Sequence, residues 1–211
     1  MDTRTSILNA AAQIFAQHGF RGSTTRRIAD AAAVNEVTIF RYFGSKDALL
    51  QEAISQSNEC ELANALPVTP VDPEAELTLW CATVIDHLRS RQSMIRKCMS
   101  EMEERPEMRS VAAATPIRVT GELCAYFRQL RILGFTDEDF DATAAAAMMM
   151  GAVFHDAMGR GMMPDAYPKP ATDAPQRYAR LLLRAIGAST GSVRSAAGGR
   201  KNRKQSARSI T

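Results

Sequence analysis

The stretch from Thr24 to Lys46, TTRRIADAAAVNEVTIFRYFGSK, constrains this chain more than any other. Ser23 or Thr24 can cap a short helix that runs through Ala32, and Asn35 can cap a second that ends near Phe43. Ile28, Ala29 and Ala32 share one side of the first, Ile39 and Phe43 share one side of the second, and Val34 enters the core between them. Two short helices joined by so tight a turn have the form of a helix-turn-helix. Upstream, Ile7, Leu8, Ala11, Ile14 and Phe15 recur at helical spacing, which predicts a helix over 3–18. Gly19 suits the left-handed end of that helix, and Phe20 can fold back on Phe15.

With Ile39 and Phe43 turned inward, Glu36, Val37, Thr38, Phe40, Arg41 and Tyr42 are left on the outer faces. Exposed aromatics beside an arginine suit a surface that meets a groove. Thr24 and Thr25 stand at a helix N-terminus, where hydroxyls and backbone N–H groups can meet a phosphate, and Lys46 begins the next helix. Asn35, Glu36, Val37, Thr38 and Tyr42, with Arg26 on the adjoining helix, are placed to read bases. Asp30, Glu36 and Asp47 offset much of the local positive charge, so placement rather than charge marks this surface.

The runs I-L-x-A-A-x-x-I-F-x-x-x-G-F (Ile7 to Phe20), T-T-R-R-I-A (Thr24 to Ala29) and V-x-x-x-T-I-F-R-Y-F-x-S-K-x-A-L-L (Val34 to Leu50) resemble the DNA-binding domain of the tetracycline-repressor (TetR) family. Two departures stand out. The family's turn glycine is Ala33, which implies a turn made without the left-handed conformation, and its recognition-helix tyrosine is Phe40, which lacks a hydroxyl for a phosphate. The resemblance implies Arg26, Thr38, Arg41, Tyr42 and Lys46 as the stronger DNA contacts. With the residue-level reading, the expected DNA-binding set is Thr24, Thr25, Arg26, Asn35, Thr38, Phe40, Arg41, Tyr42 and Lys46.

After the head, Ser45 can cap a connecting helix from Lys46 to about Leu62, with Leu49, Leu50, Ala53 and Ile54 inward. Asp72 and Pro73 start the next helix, whose stripe is Leu77, Trp80, Cys81, Val84, Ile85 and Leu88. Met94, Ile95, Cys98, Met99 and Met102 form a shorter stripe that ends before Pro106. A restart at Thr115 and Pro116 carries Ile117, Leu123, Cys124, Phe127 and Leu130 to Gly134. Thr136 with Asp139 resembles a capping box for a helix from Asp137 to about Gly159, apolar nearly all round. The last helix, opened at Thr172 or Asp173, bears Tyr178, Leu181, Leu182, Ala185 and Ile186.

These segments predict an all-α chain: a three-helix head over 1–50, a helical regulatory and dimerisation body over 51–188, and a disordered basic tail over 189–211. Trp80, His87, Met94, Met99, Met102 and Phe127, with Tyr126 beside them, are candidates to line an apolar ligand pocket, although residues so spaced are more often plain core. By the family resemblance, the last two long helices form a four-helix seam between two copies, with Met148, Met149, Ala152, His155, Tyr178, Leu182 and Ile186 in it. The same resemblance implies a homodimeric repressor that binds a palindromic operator in double-stranded DNA and is released by a small-molecule effector.

The formal charge of +3 owes much to Arg194, Arg200, Lys201, Arg203, Lys204 and Arg208 in the tail, and an architectural nucleic-acid binder acting through that tail is the alternative reading. The longest apolar run, Ala144 to Phe154, falls well short of the roughly 20 residues of a membrane span, and the N-terminus has no signal-peptide core, so a cytoplasmic protein is expected. Cys60, Cys81, Cys98 and Cys124 are widely separated and His18, His87 and His155 isolated, which gives no metal site. Neither a nucleophile elbow nor a nucleotide-binding glycine pattern is present. A helical enzyme using Cys98 or His87 is therefore remote, and no cofactor is expected.

Overall fold

The computed structural model describes residues 2–58, 65–106, 108–136 and 139–188, without the side chains of 57 and 58. Cys60, the end of the expected connecting helix and the expected tail lie outside the described residues. Helices α1 (Thr3–Gly22), α2 (Thr25–Ala32), α3 (Glu36–Phe43) and α4 (Lys46–Asn58) make the head. Helices α5 (Pro73–Ser90), α6 (Gln92–Glu101), α7 (Met108–Ile132), α8 (Ala142–Gly159) and α9 (Ala174–Ala185) make the body. Among the described residues there is no strand, only an isolated antiparallel bridge between Thr136 and Ala188.

The helix starts are fixed by local side-chain bonds. Asp2 accepts from Thr5 N–H, Thr24 from Arg27 N–H, Asn35 from Val37 N–H, Ser45 from Ala48 N–H and Asp72 from Ala75 N–H. Gly19 has φ 67°, so α1 kinks there before its final turn. A Cβ at Gly19 would also displace the flexible end of the Glu101 side chain, so glycine is needed there chiefly for its conformation.

Ala33 overturns the expectation drawn from its side chain. It adopts the left-handed conformation, φ 54° and ψ 43°, and its neighbour Val34 donates its N–H to the Ala29 carbonyl at 3.0 Å. The tight turn that brings Val34 into contact with the head core imposes that conformation despite the Cβ. An L-residue with a Cβ loses about 1–2 kcal/mol in this region, partly offset by the greater entropy glycine loses on folding. Ala33→Gly is therefore expected to raise stability by roughly 0.5–1 kcal/mol, seen as a higher urea midpoint with unchanged slope.

Two further boundaries differ from the sequence reading. Helix α7 starts at Met108 and passes through Pro116 without restarting. Met108 is buried in the head core and alanines 112–114 favour helix, so the hydrogen bond Pro116 cannot make does not end it. Ile117, expected inward, is exposed. Helix α8 starts later than expected, at Ala142, because Asp141 caps it by accepting from the Thr143 and Ala144 N–H groups at 2.8 and 3.1 Å. Asp139 instead pairs with Arg131 at 2.7 Å, and the buried Thr136 hydroxyl has no hydrogen-bond partner among the described residues.

The buried side chains form two clusters. One joins α5, α7, α8 and α9 around Trp80, Phe127, Met149 and Leu183. The other is the head core around Ile7, Phe15, Ile28, Ile39 and Leu49, and it also takes in Met94 and Cys98 of α6 and Met108 of α7. Helix α6 thus packs as part of the head although it belongs in sequence to the body.

Candidate nucleic-acid interface

On α3 the outer face carries Val37, Phe40, Arg41 and Tyr42, and Val37 is 72% exposed, Phe40 48% and Tyr42 43%. The Arg41 guanidinium lies over the Tyr42 ring, 5.4 Å from its centroid. Such a pair costs little conformational freedom to hold and presents a cation and a phenol together. Arg26 is exposed on α2. Thr25 donates its hydroxyl to the Glu36 carboxylate, which ties the start of α2 to the start of α3.

Behind this face the head is clasped to α6. Glu101 accepts the Phe20 N–H at 3.0 Å, Lys46 donates to the Phe20 carbonyl at 2.8 Å, and the Lys46 and Arg105 cations both lie over the Phe20 ring. Loss of hydration holds the Lys46 ammonium below the usual lysine range, aided by the charge of Arg105 and opposed by Asp47 and Glu101.

On its other side α6 walls a half-enclosed cavity of about 360 Å³ between α5, α6, α7 and α8. Its wall is almost wholly apolar, and Arg91, His87 and Thr115 are its polar members. The volume lies at the small-molecule end of ligand sites. Burial, with the nearby charge of Arg91, pushes the His87 imidazole down to about 4. Among the described residues no helix is long and apolar enough to cross a membrane.

Residues 7–53 match the family described as bacterial regulatory proteins, tetR family. The head of the chain is therefore similar to the DNA-binding domain of the TetR family. Over a longer stretch, the chain is 22% identical across 153 residues to the HTH-type transcriptional regulator UidR of Escherichia coli (strain K12), covering 72% of this chain and 78% of the relative. It is 31% identical over 94 residues to the HTH-type transcriptional repressor SCO4008 of Streptomyces coelicolor, 44% and 46% of the two chains. Salmonella enterica GusR shares the fold, with a TM-score of 0.71 at 20% identity over 87% of this chain and 95% of that one.

The expected DNA-contact residues divide into two groups. Arg26, Phe40, Arg41 and Tyr42 are exposed and Thr38 is half-buried on α3. Thr24 and Asn35 spend a side-chain oxygen on capping, and the Thr25 hydroxyl is taken by Glu36. Lys46, expected at a phosphate, is engaged in the clasp in this structure, where the Phe20 carbonyl and ring lie within its reach.

The pocket set divides in the same way. His87, Met94, Met99 and Met102 line the cavity, but Trp80 and Phe127 do not. Both are fully packed inside the body core, on the part of their stripes away from the void. Sequence reasoning missed Arg91, Met150 and Phe154, which also line it. A signal existed for Arg91, which follows His87 by one helical turn and meets its ring, Nη1 to Nδ1, at 3.0 Å.

The expected seam needs a similar correction. Met149, Leu182 and Ile186 are buried in this chain's own core, and Tyr178 is half-buried, donating its hydroxyl to Asp156 at 2.7 Å. The outward side of α8 is instead Ala144, Met148, Gly151 and His155, with Ala152 half-buried, and on α9 Leu181 is exposed. Met148 is 66% and Leu181 70% exposed. The three described cysteines are free and buried, and burial pushes the Cys81 thiol up to about 12 and Cys98 up to about 11.

Proposed function

We propose that the chain is a homodimeric transcriptional repressor that binds a palindromic operator through α3 and is released by a small apolar effector held in the body cavity. The observation that carries this reading is the position of α6. Met94 and Cys98 line the cavity and are also buried in the head core, while Glu101 at the other end of the helix holds Phe20. An occupant that prefers a shifted α6 changes head placement, and its effect on DNA affinity equals its preference between the two states.

Two heads reading one palindrome must present α3 to successive major grooves, about 34–36 Å apart. The outward face of α8 supports pairing of two copies. Ala144, Met148, Gly151 and His155 recur at helical spacing, and small residues let a second helix approach closely. A charge buried in such a seam lacks a partner and costs several kcal/mol. Met148→Glu with Leu181→Glu should therefore yield a folded monomer by light scattering, whereas a dimer of unchanged affinity would place the seam elsewhere.

The reading as a whole is tested by selecting duplexes from random DNA with the full chain. Recovery of an inverted repeat, with a half-site spacing of one turn or a multiple, is expected. Enrichment of no sequence, or of a single unrepeated half-site, would remove the dimeric-repressor reading.

A further inference from the structure

We infer that Glu36 reads a cytosine in each half-site, with Thr25 positioning its carboxylate; this rests on the reading of α3 as the helix that enters the major groove. Glu36 is the first residue of α3, and the N-terminal residues of a recognition helix are the ones that reach base edges. It is half-buried rather than loose in solvent. Its Oε1 accepts a hydrogen bond from the Thr25 hydroxyl at the start of α2. The helix that crosses the DNA backbone and the helix that meets the bases are therefore joined through this carboxylate.

The chemistry of a carboxylate limits what it can recognise. It accepts hydrogen bonds and donates none. In the major groove guanine presents N7 and O6 and thymine presents O4, all of them acceptors, so both repel it. Donors come only from the amino groups of cytosine and adenine. Adenine sets its N7 acceptor beside that amino group, against the second carboxylate oxygen, whereas cytosine has no acceptor there, and cytosine is favoured. Phosphates repel the same charge, so Glu36 adds nothing to attraction for DNA of arbitrary sequence. Its contribution is discrimination.

Thr25 supplies the geometry. A glutamate side chain turns about several bonds, and fixing it against a base costs entropy. Here the fixing has already taken place in the unbound protein, through the bond from Thr25. A carboxylate has roughly four acceptor sites on its two oxygens, so a single hydroxyl on Oε1 leaves Oε2 to take the cytosine amino group. The position of Glu36 in the first turn of α3 adds the favourable end of the helix dipole. The Thr25 hydroxyl thus serves base reading through Glu36 rather than a phosphate directly.

The test selects duplexes from random DNA with the full-length protein, then measures anisotropy on operators that carry each of the four base pairs at the selected column. The unaltered protein is expected to enrich cytosine at one column in each half-site and to bind it about tenfold tighter than the other pairs. An arginine facing the paired guanine would give the same column, so variants of Glu36 decide. Glu36→Gln should move the preference toward adenine, whose N7 and amino group match an amide, and Glu36→Ala should erase it. Thr25→Val, similar in shape but without the hydroxyl, should reduce the cytosine preference at least threefold, whereas Thr25→Ser should keep it. Each ratio compares duplexes on one protein, so a general loss of affinity in a variant leaves it unaffected. An inverted repeat without a cytosine column, or a cytosine preference that survives in either Glu36 variant, would overturn the assignment and leave α3 as the reading helix. Equal preference in Thr25→Val and the unaltered protein would overturn the positioning role of Thr25. Enrichment of no sequence would overturn the assignment together with the reading of α3.

Discussion

Replacing Arg41 and Tyr42 together by alanine is expected to lower affinity for the selected operator by about 100-fold or more, with dimerisation and helical content unchanged. Both side chains lie on the outward face of α3, and neither belongs to the head core, which is built from Ile39 and Phe43 on the other side of the helix. Removing them leaves packing intact. A direct contact to a base edge contributes about 1–3 kcal/mol, and a phosphate contact adds a salt-dependent share, so two such groups account for roughly 3–4 kcal/mol, or two to three powers of ten. Because the Arg41 cation stacks on the Tyr42 ring, each single replacement also disorders its neighbour. The singles should therefore sum to more than the double. Binding measured by anisotropy across a salt series separates the roles: an Arg41 phosphate contact reduces the salt slope by about one, and a base contact leaves it alone. Unchanged operator affinity in the double variant would mean that another face of the head meets DNA.

The head was legible in the sequence because its signals are local. Asp2, Thr24, Asn35 and Ser45 cap helices through bonds to backbone two or three residues away, and such bonds depend on little else. Ala33 was not legible, because its conformation is dictated by where Val34 must go rather than by its own preference. The same limit explains the cavity. Helical spacing identifies the buried stripe, but it does not tell which buried side chains meet other side chains and which meet a void, so Trp80 and Phe127 were chosen where Arg91 and Phe154 belong. A helix apolar all round, such as α8, gives no phase either. Only the packing of α5 and α7 against it decides that Met149 faces inward and Met148 outward.

Asp156 had only a partial sequence signal, since Arg160 follows it by one helical turn but Arg89 and Tyr178 come from other helices, and its removal should cost the most stability. Its side chain is fully buried and accepts from Arg89 at 3.0 Å, from Arg160 Nε at 2.7 Å and from the Tyr178 hydroxyl at 2.7 Å. Arg160 also holds the Pro168 carbonyl at 2.9 Å. The next two residues of α8, Ala157 and Met158, offer their carbonyls to Gln92 and Arg96 of α6, so the network joins the outward-facing helix to the helix that walls the cavity. Asp156→Leu leaves two arginines without their shared carboxylate and a tyrosine hydroxyl without its acceptor. Breaking a buried pair from one side costs about 3–5 kcal/mol, and since Arg89 keeps partial access to water the low end is expected, roughly 3 kcal/mol. In a chain of this size that corresponds to a fall in Tm of about 6–12 °C. Burial alone would raise the Asp156 pKa, but the hydrogen bonds from Arg160 and Tyr178 and the charges of Arg160 and Arg89 prevail and hold it below the usual carboxylate value. A carboxylate depressed in the folded state stabilises fully above its unfolded value, about 4, and loses that contribution as pH falls through the folded value. The stability gap between the unaltered protein and Asp156→Leu should therefore stay level from about pH 5 to 8 and narrow below about pH 4. Urea melts at neutral and acid pH measure it. A gap that is the same at both would assign the loss to packing rather than to the charge, and a gap under about 1 kcal/mol at neutral pH would show that α8 is held to α6 by other contacts.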